Sequence, residues 1–117
     1  MSDADAHAVT MTLREWQYVD AVMDNTASMA AVNGRRQQES LARSIRQAGW
    51  DQVQGTDKVW PDKGVQTRVS LPFASWRFVT QQLDHWAEIE ADVEEHGGEH
   101  LRSLCDLIRS QLPASPS

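Results

Sequence analysis

The side chains best suited to chemistry in this chain are three histidines set among carboxylates. His85, His96 and His100 lie close in sequence to Asp84, Glu95 and Glu99. His96 and His100 are four residues apart, the spacing that puts two imidazoles on one helix face, as zinc sites often require. Gly97 and Gly98 fall between them, and a glycine pair ends a helix more readily than it holds ligands rigid. No second Cys or His pair completes a four-ligand set, so the three read as surface histidines beside a turn, with no metal site. The single cysteine, Cys105, lies between Leu101 and Ile108 on an apolar stripe. That position predicts a buried structural thiol, not a nucleophile. Phosphate-binding loops, dinucleotide fingerprints and the nucleophile elbow of hydrolases are all missing from the sequence. The expectation is a non-catalytic protein with no cofactor.

Charge is more informative than nucleophiles. The 24 residues from Phe78 to Leu101 contain no Lys or Arg but seven acids: Asp84, Glu88, Glu90, Asp92, Glu94, Glu95 and Glu99. Asp84, Glu88, Asp92 and Glu95 recur at intervals of three or four and so share one helix face. A surface kept soluble by charge normally mixes both signs. A face of one sign predicts docking of a basic partner, either another protein or a second copy of this chain, with Phe78 and Ile89 as apolar contacts at its edge. Trp60, beside the turn-forming Pro61-Asp62-Lys63-Gly64, is a further candidate contact. The opposing feature is Arg35, Arg36, Arg43 and Arg46, which decorate a second helix and provide an alternative, phosphate-binding surface for nucleic acid. A net charge of −6 disfavours broad non-specific binding of nucleic acid or anionic membranes.

These residues need a scaffold, and the chain repeats itself. Shifted by 60 without gaps, residues 9–49 match residues 69–109 at eight identical positions: Val9/Val69, Trp16/Trp76, Val19/Val79, Asp24/Asp84, Ala27/Ala87, Ala31/Ala91, Glu39/Glu99 and Leu41/Leu101. Each unit opens on alternating apolar and polar residues, Val9–Leu13 and Val65–Leu71, the period of a half-buried strand. Each strand runs straight into a helix. Thr12 and Glu15 have capping-box spacing, and Pro72 takes the place of Thr12 in the second unit. The first helix, near 13–32, carries Trp16, Val19, Met23, Thr26 and Ala30 on one stripe. Its counterpart, near 73–95, carries Trp76, Val79, Leu83, Trp86 and Val93. Glu90 intrudes on that second apolar arc where the first unit has Ala30, which marks it as the rim of the core or the partner of an arginine. Gly34 and Gly97-Gly98 end these helices. The second helix of each unit follows, marked by Leu41, Ile45 and Ala48 and closed by Gly49 in one, and marked by Leu101, Leu104, Cys105, Ile108 and Leu112 in the other.

Together these predict an α+β, mostly helical fold. Two strand-helix-helix repeats are related by a pseudo-twofold axis, with a small antiparallel sheet and four helices. One domain is expected over 9–112: a first repeat at 9–49, a linker or hairpin at 50–64 that holds Trp50 and Trp60, and a second repeat at 65–112. Residues 1–8 and 113–117 are expected to be flexible ends. No apolar run approaches membrane-spanning length, and the acidic N-terminus does not resemble a secretion signal, so a cytoplasmic location is expected. The functional expectation is a small protein-interaction or regulatory module acting through its acidic helix face.

Overall fold

The computed structural model describes residues 6–53 and 66–112. Strand β1 (Ala6–Thr12) leads into helix α1 (Leu13–Val32), and α2 (Arg36–Val53) follows after a short turn. The order then repeats: β2 (Gln66–Pro72), α3 (Phe73–Val93) and α4 (Glu99–Ser110). The two strands pair antiparallel, with Val9 opposite Val69 and the ends at Ala6 opposite Pro72 and Thr12 opposite Gln66. The fold is thus α+β and mostly helical, with four helices and a two-stranded sheet.

Local chemistry explains the strand-to-helix junctions. Thr12 ends β1 in an extended conformation and caps α1. The Glu15 amide donates to Thr12 Oγ1 at 3.1 Å, and the Thr12 amide donates to Glu15 Oε1 at 2.7 Å. That reciprocal box satisfies two donors that a helix start would otherwise leave open. Pro72 does half of that job by subtraction in the second unit. It stands at the N-cap with no side-chain bond and brings no amide to satisfy.

The first turns of α1 and α3 bury the same stripe. Trp16, Val19 and Met23 on α1, and Trp76, Val79 and Leu83 on α3, are all fully buried. They join the inward valines of the sheet, Val9 and Val69, in one core. Helix α1 packs on α2 and crosses α3, α3 packs on α4, and α2 lies against β2. Among the described residues no helix is long and apolar enough to cross a membrane.

Several boundaries differ from the sequence expectation. Residues 6–8, expected to fray, are paired strand, because their partners at 70–72 lie more than 60 residues away and leave no local signal. Helix α2 does not stop at Gly49 but runs on to Val53, so Trp50 and Val53 belong to the helix and not to a linker. Gly49 is there for close approach: a Cβ at that position would run into Cζ2 and Cη2 of Trp16. Trp50 then meets Trp16 edge-on, with ring centroids 6.1 Å apart. Val93, expected on the buried stripe, is 79% exposed at the last residue of α3. The predicted hairpin with Trp60 and its turn, and the chain at 1–5 and 113–117, lie outside the described residues.

The 60-residue offset also needs a correction. The two strands and the starts of the first helices recur 60 residues apart, whereas buried positions of the second helices recur at 59: Ala42 and Leu101, Ile45 and Leu104, Gly49 and Ile108. Of the matched pair Leu41/Leu101, Leu41 is only partly buried and Leu101 is fully so.

A feature with no counterpart in the sequence reading closes the sheet. Gln52, near the end of α2, accepts from the Ser70 amide at 2.7 Å and donates to the Ser70 carbonyl at 2.8 Å. Gln111, just past α4, treats Thr10 alike, at 2.8 and 2.9 Å. A carboxamide carries one donor and one acceptor side by side, as a peptide does. Each glutamine thus stands in for one peptide of a missing neighbouring strand and covers an otherwise open edge.

Three outcomes follow for stability. Trp16→Ala and Trp76→Ala should each cost roughly 3–5 kcal/mol in urea unfolding, the usual loss for an emptied aromatic core site. The milder Phe variants should separate the two. Trp76 Nε1 donates to the His7 carbonyl at 2.7 Å, whereas Trp16 Nε1 is buried with no partner among the described residues. Trp76→Phe should therefore cost about 1 kcal/mol more than Trp16→Phe, one hydrogen bond's net worth. Gln111→Ala should speed hydrogen exchange at the Thr10 amide and leave Ser70 slow, and Gln52→Ala should do the reverse.

Candidate functional site

Helices α1 and α3 meet where Thr26 faces Gln82 and Trp86, and their burial declines toward their C-terminal ends. Thr26 is still buried, Trp86 is partly buried, and Met29 and Ile89 are 50% and 40% exposed. Between them opens a cleft of about 300 Å³. Thr26, Met29, Ala30 and Asn33 form its α1 wall, and Gln82, His85, Trp86 and Ile89 its α3 wall. Both sets follow one helical period, i, i+3, i+4, i+7. Arg35, just before α2, and Gln38, in its first turn, extend the lining beyond α1.

The floor of the cleft is polar and internally satisfied. Trp86 Nε1 donates to Thr26 Oγ1 at 3.3 Å, and Thr26 Oγ1 donates to Gln82 Oε1 at 3.3 Å. This relay explains a threonine on an apolar stripe, because its hydroxyl has partners on both sides. It also fixes the Trp86 indole as a wall of the cleft, with the His85 ring edge-on to it at 5.6 Å.

The acidic residues divide. Asp84 Oδ2 accepts from Arg109 Nη2 at 2.7 Å, an ion pair that ties α3 to α4. Asp84 is thus already paired within the chain. Glu88, Asp92 and Glu95 are exposed and make no ion pair among the described residues. Asp92 lies three residues beyond Ile89 and so continues the α3 wall, with Glu88 one turn before it. Glu90 is half-buried without an ion pair among the described residues, which makes it core rim. Phe78, expected at the edge of the acidic face, is packed in the core and only 9% exposed. Its helix position points inward with Trp76 and Val79, so Ile89 alone supplies the apolar edge.

The arginines divide too. Arg46 Nε donates to Asp20 Oδ1 at 2.7 Å and Nη1 to Asp24 Oδ1 at 3.0 Å, which locks α2 to α1. The hydrogen bond to Asp20 holds the Arg46 guanidinium above its ordinary pKa. Arg43 pairs with Glu39 at 2.9 Å one turn away. Only Arg35 and Arg36 of the four are left without an ion pair among the described residues. Two neutralised arginines leave a weak phosphate footprint, since phosphate affinity grows with each uncompensated cation.

The histidines go to three different places. His85 lines the cleft, His96 Nδ1 lies 3.3 Å from Glu99 Oε1, and the His100 ring stands 4.9 Å from Tyr18. Gly98, with φ of 86°, breaks the chain before α4, so His96 and His100 do not share a helix. Among the described residues no three His, Cys, Asp or Glu side chains gather where a metal could bind.

Cys105 is buried, and its Sγ donates to the Thr80 carbonyl at 3.5 Å. Burial, with the Asp84 carboxylate adding to it, pushes the thiol pKa up to about 12. No family model, curated protein or solved structure matches this chain.

The raised thiol pKa has a testable consequence. The folded state holds its thiol proton more tightly than the unfolded chain does. The associated stability is whole below the ordinary thiol range and is lost as pH climbs toward 12. Urea midpoints of the wild type should fall between pH 8 and pH 10 more steeply than those of Cys105→Ala. Equal slopes would show that the thiol is not held protonated.

Proposed function

We propose that this protein is a non-catalytic interaction module that docks a basic, partly apolar protein surface at the mouth of the α1–α3 cleft and along the acidic flank of α3. One observation carries this. Five large apolar side chains are exposed among the described residues, and four of them, Met29, Val32, Ile89 and Val93, lie at the C-terminal ends of α1 and α3. Scattered exposed apolar residues need no explanation, but Met29 and Ile89 line one cleft, and an apolar pair there with charge at its rim supports a contact surface. The fifth, Tyr18, already has the His100 ring against it.

The charge at the rim sets the kind of partner. Glu88, Asp92 and Glu95 make no ion pair among the described residues, so a basic group arriving there would have no internal pair to break. The partly buried Trp86 and the cleft walls offer a seat for an apolar anchor between them.

A synthetic arginine-rich amphipathic helical peptide is a suitable probe, read by calorimetry. Glu88→Gln, Asp92→Asn and Glu95→Gln together should weaken it by about tenfold or more. Asp84 is left intact to preserve its link to Arg109. Unchanged affinity in the folded triple variant would overturn the proposal. So would tighter binding of a DNA duplex than of the peptide, which would favour the Arg35–Arg36 surface instead.

A further inference from the structure

The docking face carries both signs of charge, one on each side of its apolar centre. Met29 on α1 and Ile89 on α3 line opposite walls of the cleft. On the α1 side the wall continues into Arg35, with Arg36 next to it, and both are exposed. On the α3 side it continues into Asp92, with Glu88 beside it, and both are exposed. Neither pair is matched within the chain among the described residues. The two arginines that are matched, Arg43 and Arg46, have carboxylates of their own on α2 and α1.

We infer that the partner this face fits is a second copy of the same chain, seated cleft mouth to cleft mouth about a twofold axis. The inference rests on the docking surface proposed above and names its occupant. In a twofold contact, if residue i of one copy meets residue j of the other, then j also meets i. An axis lying in the plane of the face exchanges its left and right sides. The Arg35–Arg36 side of one copy is thereby placed over the Glu88–Asp92 side of the other, and the same contact occurs twice. Met29 and Ile89 of both copies fill the centre. The chain thus supplies, on its own surface, the basic and apolar chemistry that its acidic flank calls for.

The overall charge of −6 on each copy opposes encounter. The local pairing and the apolar centre must overcome that repulsion, so the dimer is expected to be weak and to form at high protein concentration. Salt screens the attraction and the net repulsion alike. Exchange of charge at named residues is therefore a cleaner test than salt.

Two variants suffice. One carries Arg35→Glu and Arg36→Glu, and the other carries Glu88→Arg and Asp92→Arg. All four positions are exposed and outside the core, and circular dichroism checks that each variant folds. Sedimentation velocity is run from micromolar to millimolar protein. The wild type should dimerise as concentration rises. Each variant alone should self-associate about tenfold or more weakly, because its two contacts become like-charged. An equimolar mixture of the two variants should regain association at the wild-type level, since both contacts are again complementary. A wild type that stays monomeric throughout, or a mixture no better than either variant alone, would overturn the inference. Binding of the arginine-rich peptide is measured on the same samples. A monomeric wild type that still binds the peptide would refute self-association and leave the docking surface standing. A wild type that binds no peptide is the failure of that surface itself.

Discussion

The interaction on which this structure depends is the antiparallel pairing of β1 with β2. A two-stranded sheet is marginal alone in water. Here it is the floor on which both halves rest: Val9 and Val69 meet at its centre, and the fully buried Trp16 and Trp76 join them in the same core. Because the strands are 60 residues apart, the pairing closes a long loop and must be held from outside. The helices provide the hold. Trp76 reaches back to the His7 carbonyl on β1, and Gln52 and Gln111 each grip the open edge of one strand. Gln52 of the first half grips β2 of the second, and Gln111 of the second half grips β1 of the first, so the end of each half's second helix secures the other half's strand. The two halves are interlocked by these contacts and are not merely adjacent.

From this anchoring the exposed ends of α1 and α3 follow. The apolar stripes of α1 and α3 are fully covered near the sheet, from Trp16 to Met23 and from Trp76 to Leu83. Farther along the helices the cover runs out. The Thr26–Trp86–Gln82 relay marks the change, and beyond it Met29, Ile89, Val32 and Val93 are exposed. The ion pairs Arg46–Asp20 and Arg109–Asp84 fix α2 and α4 against their neighbours, and in doing so they consume charges that the sequence alone would assign to a surface.

What could be read from the sequence was whatever leaves a local or periodic trace. The alternation at Val9–Leu13, the Thr12–Glu15 spacing and the matched stripes around Trp16 and Trp76 each encode their element within a few residues. Long-range chemistry left no such trace. Residues 6–8 form a strand only because Leu71 and its neighbours are opposite, and Gly49 looks like a helix stop until Trp16 is seen lying on it. The edge grips of Gln52 and Gln111 depend on contacts across 18 and 101 residues. Of the candidate site, Ile89, Glu88 and Asp92 were legible as an acidic flank with an apolar neighbour. Phe78 was misplaced because a single-residue rotation separates the rim of that helix from its core. Met29, Trp86 and the cleft itself required two helices to be brought together.

The central claim is the proposal that two copies of this chain meet through the exposed ends of α1 and α3. Amide chemical shifts recorded as the isotopically labelled protein is concentrated test it most directly. Shifts that move with concentration at residues 29–36 and 85–93, and stay fixed along β1, β2 and α4, are the predicted result. Shifts that move elsewhere, or that do not move at all, would contradict it.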